Sequence, residues 1–148
     1  MPPISLPAEQ ADELAMTRLN LLVLRVADID RSAAFYRLLG LDFAKHAHGS
    51  GPQHYASERD GFVFELYPST PEQPVDASTR IGFAVRDVDT TLTAIAHVEG
   101  CRVVVAPKDS EWGRRAVVTD PDGHRVELVS NGASTEPSPN HFSADAVT

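Results

Sequence analysis

The chain has 148 residues, 42% of them apolar and 23% charged, with a formal net charge of −8 at neutral pH. That length suits one compact domain or two halves sharing a core, and the acidic balance disfavours nucleic acid, whose phosphates need a basic face. No run approaches the roughly 18 apolar residues of a membrane span, and Met1-Pro2-Pro3-Ile4-Ser5-Leu6-Pro7 lacks the basic and apolar parts of a signal peptide, so no membrane partner and a cytoplasmic setting are expected.

Residues 1–17 read as a leader in which Ala8 to Met16 could form one weak helix. A strand is expected from Arg18 to Ala27, then a helix from Arg31 to Leu39 capped by Asp28 or Asp30 and stopped by Gly40. Ala33, Phe35, Leu38 and Leu39 give that helix its apolar stripe. Strands follow at Leu41–Lys45, Gln53–Ser57 and Gly61–Pro68. The last two are joined by Arg59-Asp60-Gly61, and Asp-Gly between strands is a strong hairpin signal. Residues 69–78 read as a linker.

The order then repeats: a strand over Thr79–Arg86, a helix over Val88–Val98, and strands at Cys101–Ala106, Arg114–Thr119 and His124–Ser130. Asp120-Pro121-Asp122-Gly123 joins the last two. Residues 131–148 have the Ser/Thr/Pro-rich composition of a flexible tail. The lone Cys101 excludes an intrachain disulfide and reads as a small buried residue rather than a nucleophile.

The two units match in sequence as well as in order. Leu22 to Asp30 echoes Ile81 to Asp89, with an offset of 59 residues (87 minus 28). Phe64-Glu65-Leu66 echoes Val126-Glu127-Leu128, with an offset of 62 (127 minus 65). Similar offsets at both ends indicate a duplicated β-α-β-β-β module. Strand alternation puts Leu22, Leu24 and Val26 (Ile81, Phe83 and Val85) under the helices, with Phe64, Leu66, Val126 and Leu128. The opposite face carries Leu19, Leu21, Val23, Val63, Glu65 and Tyr67 in module one. In module two it carries Arg80, Gly82, Ala84, Arg125, Glu127 and Val129. Such a face, curled into a cup, suits a small molecule.

Several stretches resemble the vicinal oxygen chelate superfamily, which includes glyoxalase I, extradiol dioxygenases and bleomycin resistance proteins. They are Val26-x-Asp28-x-x-x-Ser32-x-x-Phe35-Tyr36, its echo Val85-x-Asp87, and Trp112-Gly113 followed by Asp120-Pro121-Asp122-Gly123-His124-x-x-Glu127-Leu128. The resemblance implies an α+β, glyoxalase-like fold: two tandem βαβββ modules forming a cup-shaped mixed sheet, commonly in a homodimer. The domain is placed at 18–130, with module one at 18–68 and module two at 79–130. Metal enzymes of the family hold a divalent ion with one residue from the first and one from the last strand of each module. The matching positions here are Leu21, Glu65, Arg80 and Glu127, so both imidazole ligands are missing. Leu has no donor atom, and Arg is cationic with no lone pair to offer.

The reading is therefore of a metal-independent protein that binds a small organic molecule and needs no cofactor. Leu21, Glu65, Tyr67, Arg80, Trp112 and Glu127 line the cup, and an Arg80–Glu127 ion pair replaces the metal's charge. The alternative is a metal-dependent lyase or dioxygenase of the glyoxalase type, with Glu65 or Glu127 as general base. His46, His48 and His54 raise a displaced metal site. The first two lie near a Gly-rich turn and read as solvated, while His54 is better placed on a strand. His124 reads as exposed, and Tyr55 as core or rim packing. Of Arg114 and Arg115, only one can face the cup.

Overall fold

The computed structural model describes residues 2–131. The element order is α1 (Ala8–Leu14), β1 (Leu21–Val26), α2 (Ile29–Leu38), β2 (Ala44–His46), β3 (His54–Arg59) and β4 (Phe62–Pro68), followed by β5 (Arg80–Ala84), α3 (Val88–Ile95), β6 (Val103–Ser110), β7 (Gly113–Thr119) and β8 (Arg125–Ser130). The strands form two four-stranded sheets, ordered β1-β4-β3-β2 and β5-β8-β7-β6. In each, the first strand pairs in parallel with the last, Leu21 opposite Val63 and Arg80 opposite Arg125, and the other pairings are antiparallel. The duplicated βαβββ expectation thus holds as two mixed sheets. β2 starts three residues later than expected, and α1 buries none of its residues.

The repeat in sequence is a repeat in local chemistry. Asp28 caps α2 by accepting from the amides of Asp30 and Arg31, both at 3.0 Å. Asp87 caps α3 by accepting from the amide of Thr90 at 2.8 Å, and these bonds hold its carboxyl below the usual carboxylate range. The β3–β4 hairpin turns on Asp60 and Gly61, with φ of 53° and 80°. Positive φ at both central residues matches the twist of the flanking strands, which is why Asp-Gly is favoured there.

Leu24, Val26, Phe64 and Leu66 pack under α2, and Ile81, Val126 and Leu128 under α3. The two sets form one core. Tyr36 on α2 meets Phe35 and Phe64 edge-on, with ring centroids at 4.9 and 5.1 Å, and reaches Phe83 of module two at 5.8 Å. Each such ring removes a large apolar surface from water, worth about 1.5–3 kcal/mol when complete. Cys101 precedes β6, where burial pushes its thiol up to about 11, in keeping with an inert side chain. Among the described residues no helix is long and apolar enough to cross a membrane. The tail expected over 131–148 lies outside the described residues beyond Asn131.

Candidate functional site

The helix faces of both sheets are buried, so the opposite faces are where a ligand can reach the strands. In module one that face carries Leu21, Val23 and Arg25 on β1, beside Val63, Glu65 and Tyr67 on β4. β3 adds His54 and Ala56, and β2 adds Ala44 and His46. Leu21, at the start of β1, and Val23 are 48% and 40% exposed, so this face presents aliphatic surface to solvent. Glu65 is half-buried, and its Oε2 lies 3.3 Å from Nε2 of His54. Tyr67 stacks on the His54 ring at 4.2 Å with a 10° interplanar angle. The Arg25 guanidinium lies 5.0 Å from the Tyr67 ring centroid. His46 and His48 are solvent-exposed, as read from their turn, yet their rings lie 6.0 and 5.3 Å from the His54 ring.

The matching face of module two has a different chemistry. Glu127 is bonded to the Arg115 guanidinium of β7. Arg80 is exposed and stands opposite Arg125 in the β5–β8 ladder. The expected Arg80–Glu127 pair is thus corrected to Arg115–Glu127. Register explains the change: Gly82, not Arg80, sits beside Glu127, and a Cβ at Gly82 would lie 3.9 Å from the Glu127 carboxylate. Arg114, on the other face, pairs with Asp89 at 2.6 Å and Asp109 at 3.0 Å, so one of the two arginines does face the cup. Trp112 is 50% exposed in the β6–β7 turn.

At the family's four metal positions the residues do not fit an ion. Leu21 brings no donor, Arg80 brings a cation, and Glu127 is already neutralised by Arg115. Only Glu65 faces the cup without a guanidinium against it.

A second polar group lies where the modules meet. Asp120 and His124, at the two ends of the β7–β8 turn, are fully buried. One Asp120 oxygen accepts from the amides of Asp122 (3.0 Å) and His124 (2.9 Å). The other accepts from the Tyr36 hydroxyl at 2.7 Å and lies 2.8 Å from His124 Nδ1. Asp122 accepts from the Ala27 amide at 3.2 Å and from the Ser32 hydroxyl at 3.4 Å. Burial and the neighbouring Asp120 push the Tyr36 phenol well above its usual range. For His124, burial alone would lower the pKa. The Asp120 hydrogen bond and the charges of Asp120, Asp122 and Asp76 outweigh it and raise it.

The expectation that His124 is exposed is therefore wrong. The turn it follows does not end in solvent but is clasped by α2 of the other module. The sequence held a signal for this: Ser32 and Tyr36 in one half of the resemblance motif are the partners of Asp122 and Asp120 in the other. Asp120, Asp122 and His124 also offer ligand atoms within 4.8 Å of one another, a potential cation-holding group that the metal-independent reading did not foresee. The Nε2 atom of His124 is buried without a hydrogen-bond partner. Tyr55 belongs to the core, its hydroxyl donating to Asp30 at 2.6 Å.

The chain is similar to several known proteins. A probable lactoylglutathione lyase of Vibrio parahaemolyticus is 29% identical over 120 residues, spanning 74% of this chain and 87% of the relative. A probable chloroplastic lactoylglutathione lyase of Arabidopsis thaliana is 29% identical over 128 residues, spanning 78% of this chain but 36% of the plant protein. The chain thus covers well under half of that relative. Among solved structures, an antibiotic-binding protein from Streptomyces sp. CB03234 superposes with a TM-score of 0.63 at 24% identity, covering 80% of this chain and 98% of the other. The family model for the Glyoxalase/Bleomycin resistance protein/Dioxygenase superfamily matches residues 18–128. With the paired βαβββ sheets in view, this chain belongs to the glyoxalase/bleomycin resistance protein/dioxygenase superfamily.

Proposed function

We propose that the protein binds a small organic molecule on the open faces of its sheets, and that a divalent cation takes part, as in a lyase of the glyoxalase type. The observation that carries this reading is Glu65, a half-buried carboxylate on an accessible face with an imidazole rather than a guanidinium against it. Two lines of support add to it: the relatives named as lactoylglutathione lyases, and, at the buried junction of the modules, Asp120, Asp122 and His124, whose ligand atoms lie close enough to share an ion. Polarisation of a substrate oxygen is the chemistry a bound cation would supply. Glu65 would accept and return the substrate proton, while Leu21, Val23 and Tyr67 would exclude water around it. Glu127 is less suited to proton transfer because Arg115 stabilises its charged form.

The exposed aliphatic side chains of β1 also suit a second copy of the chain, so a homodimer belongs to this reading; light scattering should give twice the 16.0 kDa chain mass. The main test is glyoxalase and catechol-cleavage assays on tag-free protein supplied with zinc, nickel, manganese or iron(II). Metal-dependent turnover that collapses in Glu65→Gln is expected. Absence of turnover with every metal rejects the enzymatic part. One observation favours a second reading, metal-free ligand sequestration: Leu21 and Arg80 place no ligand atom where the family needs one. A ligand-dependent rise in melting temperature that persists in chelator would select it.

A further inference from the structure

We infer that His46, His48, His54 and Glu65 form a binding site for one divalent transition-metal ion on the open face of module one. The inference builds on the proposed involvement of a cation and gives that cation a place, away from the family's four positions except at Glu65.

The argument starts from His54. Its ring is 2% exposed and its orientation is held by the stacked Tyr67. Its Nδ1 lies 3.3 Å from the Pro52 carbonyl oxygen. A carbonyl can only accept, so Nδ1 carries a proton, and Nε2 is the nitrogen left to meet Glu65 through a second proton or a metal ion. His54 Nε2 lies 3.3 Å from Glu65 Oε2. Two acceptors aimed at each other repel, unless a proton or a metal ion lies between them. A backbone carbonyl holding the far N–H of an imidazole is also the usual way a ligating histidine is oriented.

Two more imidazole rings lie close to that of His54. β2 pairs with β3 so that His46 lies directly opposite His54. His48 follows two residues later, just before the Gly49 turn. The three ring centroids are 5.3, 6.0 and 6.1 Å apart. Three imidazoles gripping one tetrahedral ion at roughly 2 Å have centroids about 5 Å apart. Binding an ion here requires His46 and His48, both exposed, to turn about their side-chain bonds so that their ring nitrogens converge on the His54–Glu65 pair. Three neutral imidazoles and one carboxylate suit zinc, copper(II) or nickel rather than magnesium or calcium. Arg25, on the same face of β1, is a competing cation occupied by the Tyr67 ring and by the Pro68 carbonyl at 3.3 Å.

The test is calorimetric titration of tag-free, chelator-treated full chain with zinc chloride. It is repeated on Glu65→Gln and on the paired variant His46→Ala/His48→Ala, whose exposed side chains leave the core intact. One equivalent of zinc per chain is expected. Affinity should fall at least about 100-fold in the paired variant, since losing an outer partner alone costs 10–100-fold. Cobalt(II) bound to the wild-type chain should show the intense visible bands of a four-coordinate site, and these should disappear in the paired variant. Zinc bound equally by wild-type and paired-variant protein overturns this placement while leaving the involvement of a cation standing, with Asp120, Asp122 and His124 as its holders. Failure of the wild-type chain to bind zinc, copper(II) or nickel overturns both, and a proton alone then bridges His54 and Glu65.

Discussion

The two modules share a backbone plan and differ in how each treats the same glutamate. Glu65 and Glu127 occupy matching positions on the closing strands, and both point away from the helices. In module one the neighbour is an imidazole, backed by an aromatic ring. In module two it is a guanidinium. A carboxylate paired with Arg is satisfied and has little to offer a ligand. A carboxylate 3.3 Å from an imidazole nitrogen leaves a proton or a metal ion to lie between them. Duplication thus supplied two equivalent frames, and side chains on β3 and β7 set a different partner beside each glutamate.

The turns before the closing strands differ in the same way. Asp60-Gly61 is a two-residue hairpin exposed to solvent. Asp120 to His124 is a longer turn, buried against α2 of module one. The first shapes its own sheet; the second joins the two halves.

The largest effect is therefore expected at that junction. Asp120→Ala removes the acceptor for the Tyr36 hydroxyl, two turn amides and the His124 ring, all buried. A loss of about 3–5 kcal/mol follows, measured by urea unfolding. A loss under about 1 kcal/mol would mean that the junction does not bind the halves together.

Core equivalence comes next. Leu66 and Leu128 are both fully buried at matching positions. Leu66→Ala and Leu128→Ala should each cost about 2–5 kcal/mol and unfold the chain in one transition. Two separated transitions would break the picture of one shared core.

A smaller effect is expected from pH. His124 has a raised folded pKa against an ordinary value of 6.5, so protonation of its ring is favoured by folding. Its contribution to stability is fully present below pH 6.5 and is lost as pH rises through the folded value. The melting temperature should fall with rising pH above 6.5, and His124→Gln should flatten that slope. A wild-type melting temperature that rises over this range would contradict the Asp120–His124 assignment.

The smallest effect is expected for Glu127→Gln. The Arg115–Glu127 pair is more than a third exposed at both partners, so solvent screening leaves a change below about 1 kcal/mol in unfolding free energy. A larger loss would show that module two's open face is covered in solution.

Much of this architecture was legible in the residues alone. Periodicity, the Asp caps, the Gly stops and the Asp-Gly turn are local signals. They placed the elements to within a few residues, and the duplicated pattern gave the pairing of modules. The inward faces of β1 and β4 followed from strand alternation, because a period of two leaves no freedom once one core residue is known. The apolar stripes likewise placed Phe35, Phe64, Leu66 and Leu128 in the core.

Which polar groups meet was decided only by tertiary structure. Arg80 and Arg115 are equally plausible partners for Glu127 on paper, but strand register sets Gly82 beside it and brings Arg115 across from β7. His124 looks like a turn residue until α2 of the other module closes over it. His46 and His54 are eight positions apart in the chain and become neighbours through the β2–β3 ladder. The physical reason is range: caps, turns and alternation act within a few residues, whereas an ion pair or a shared ligand site depends on how strands from distant parts of the chain align.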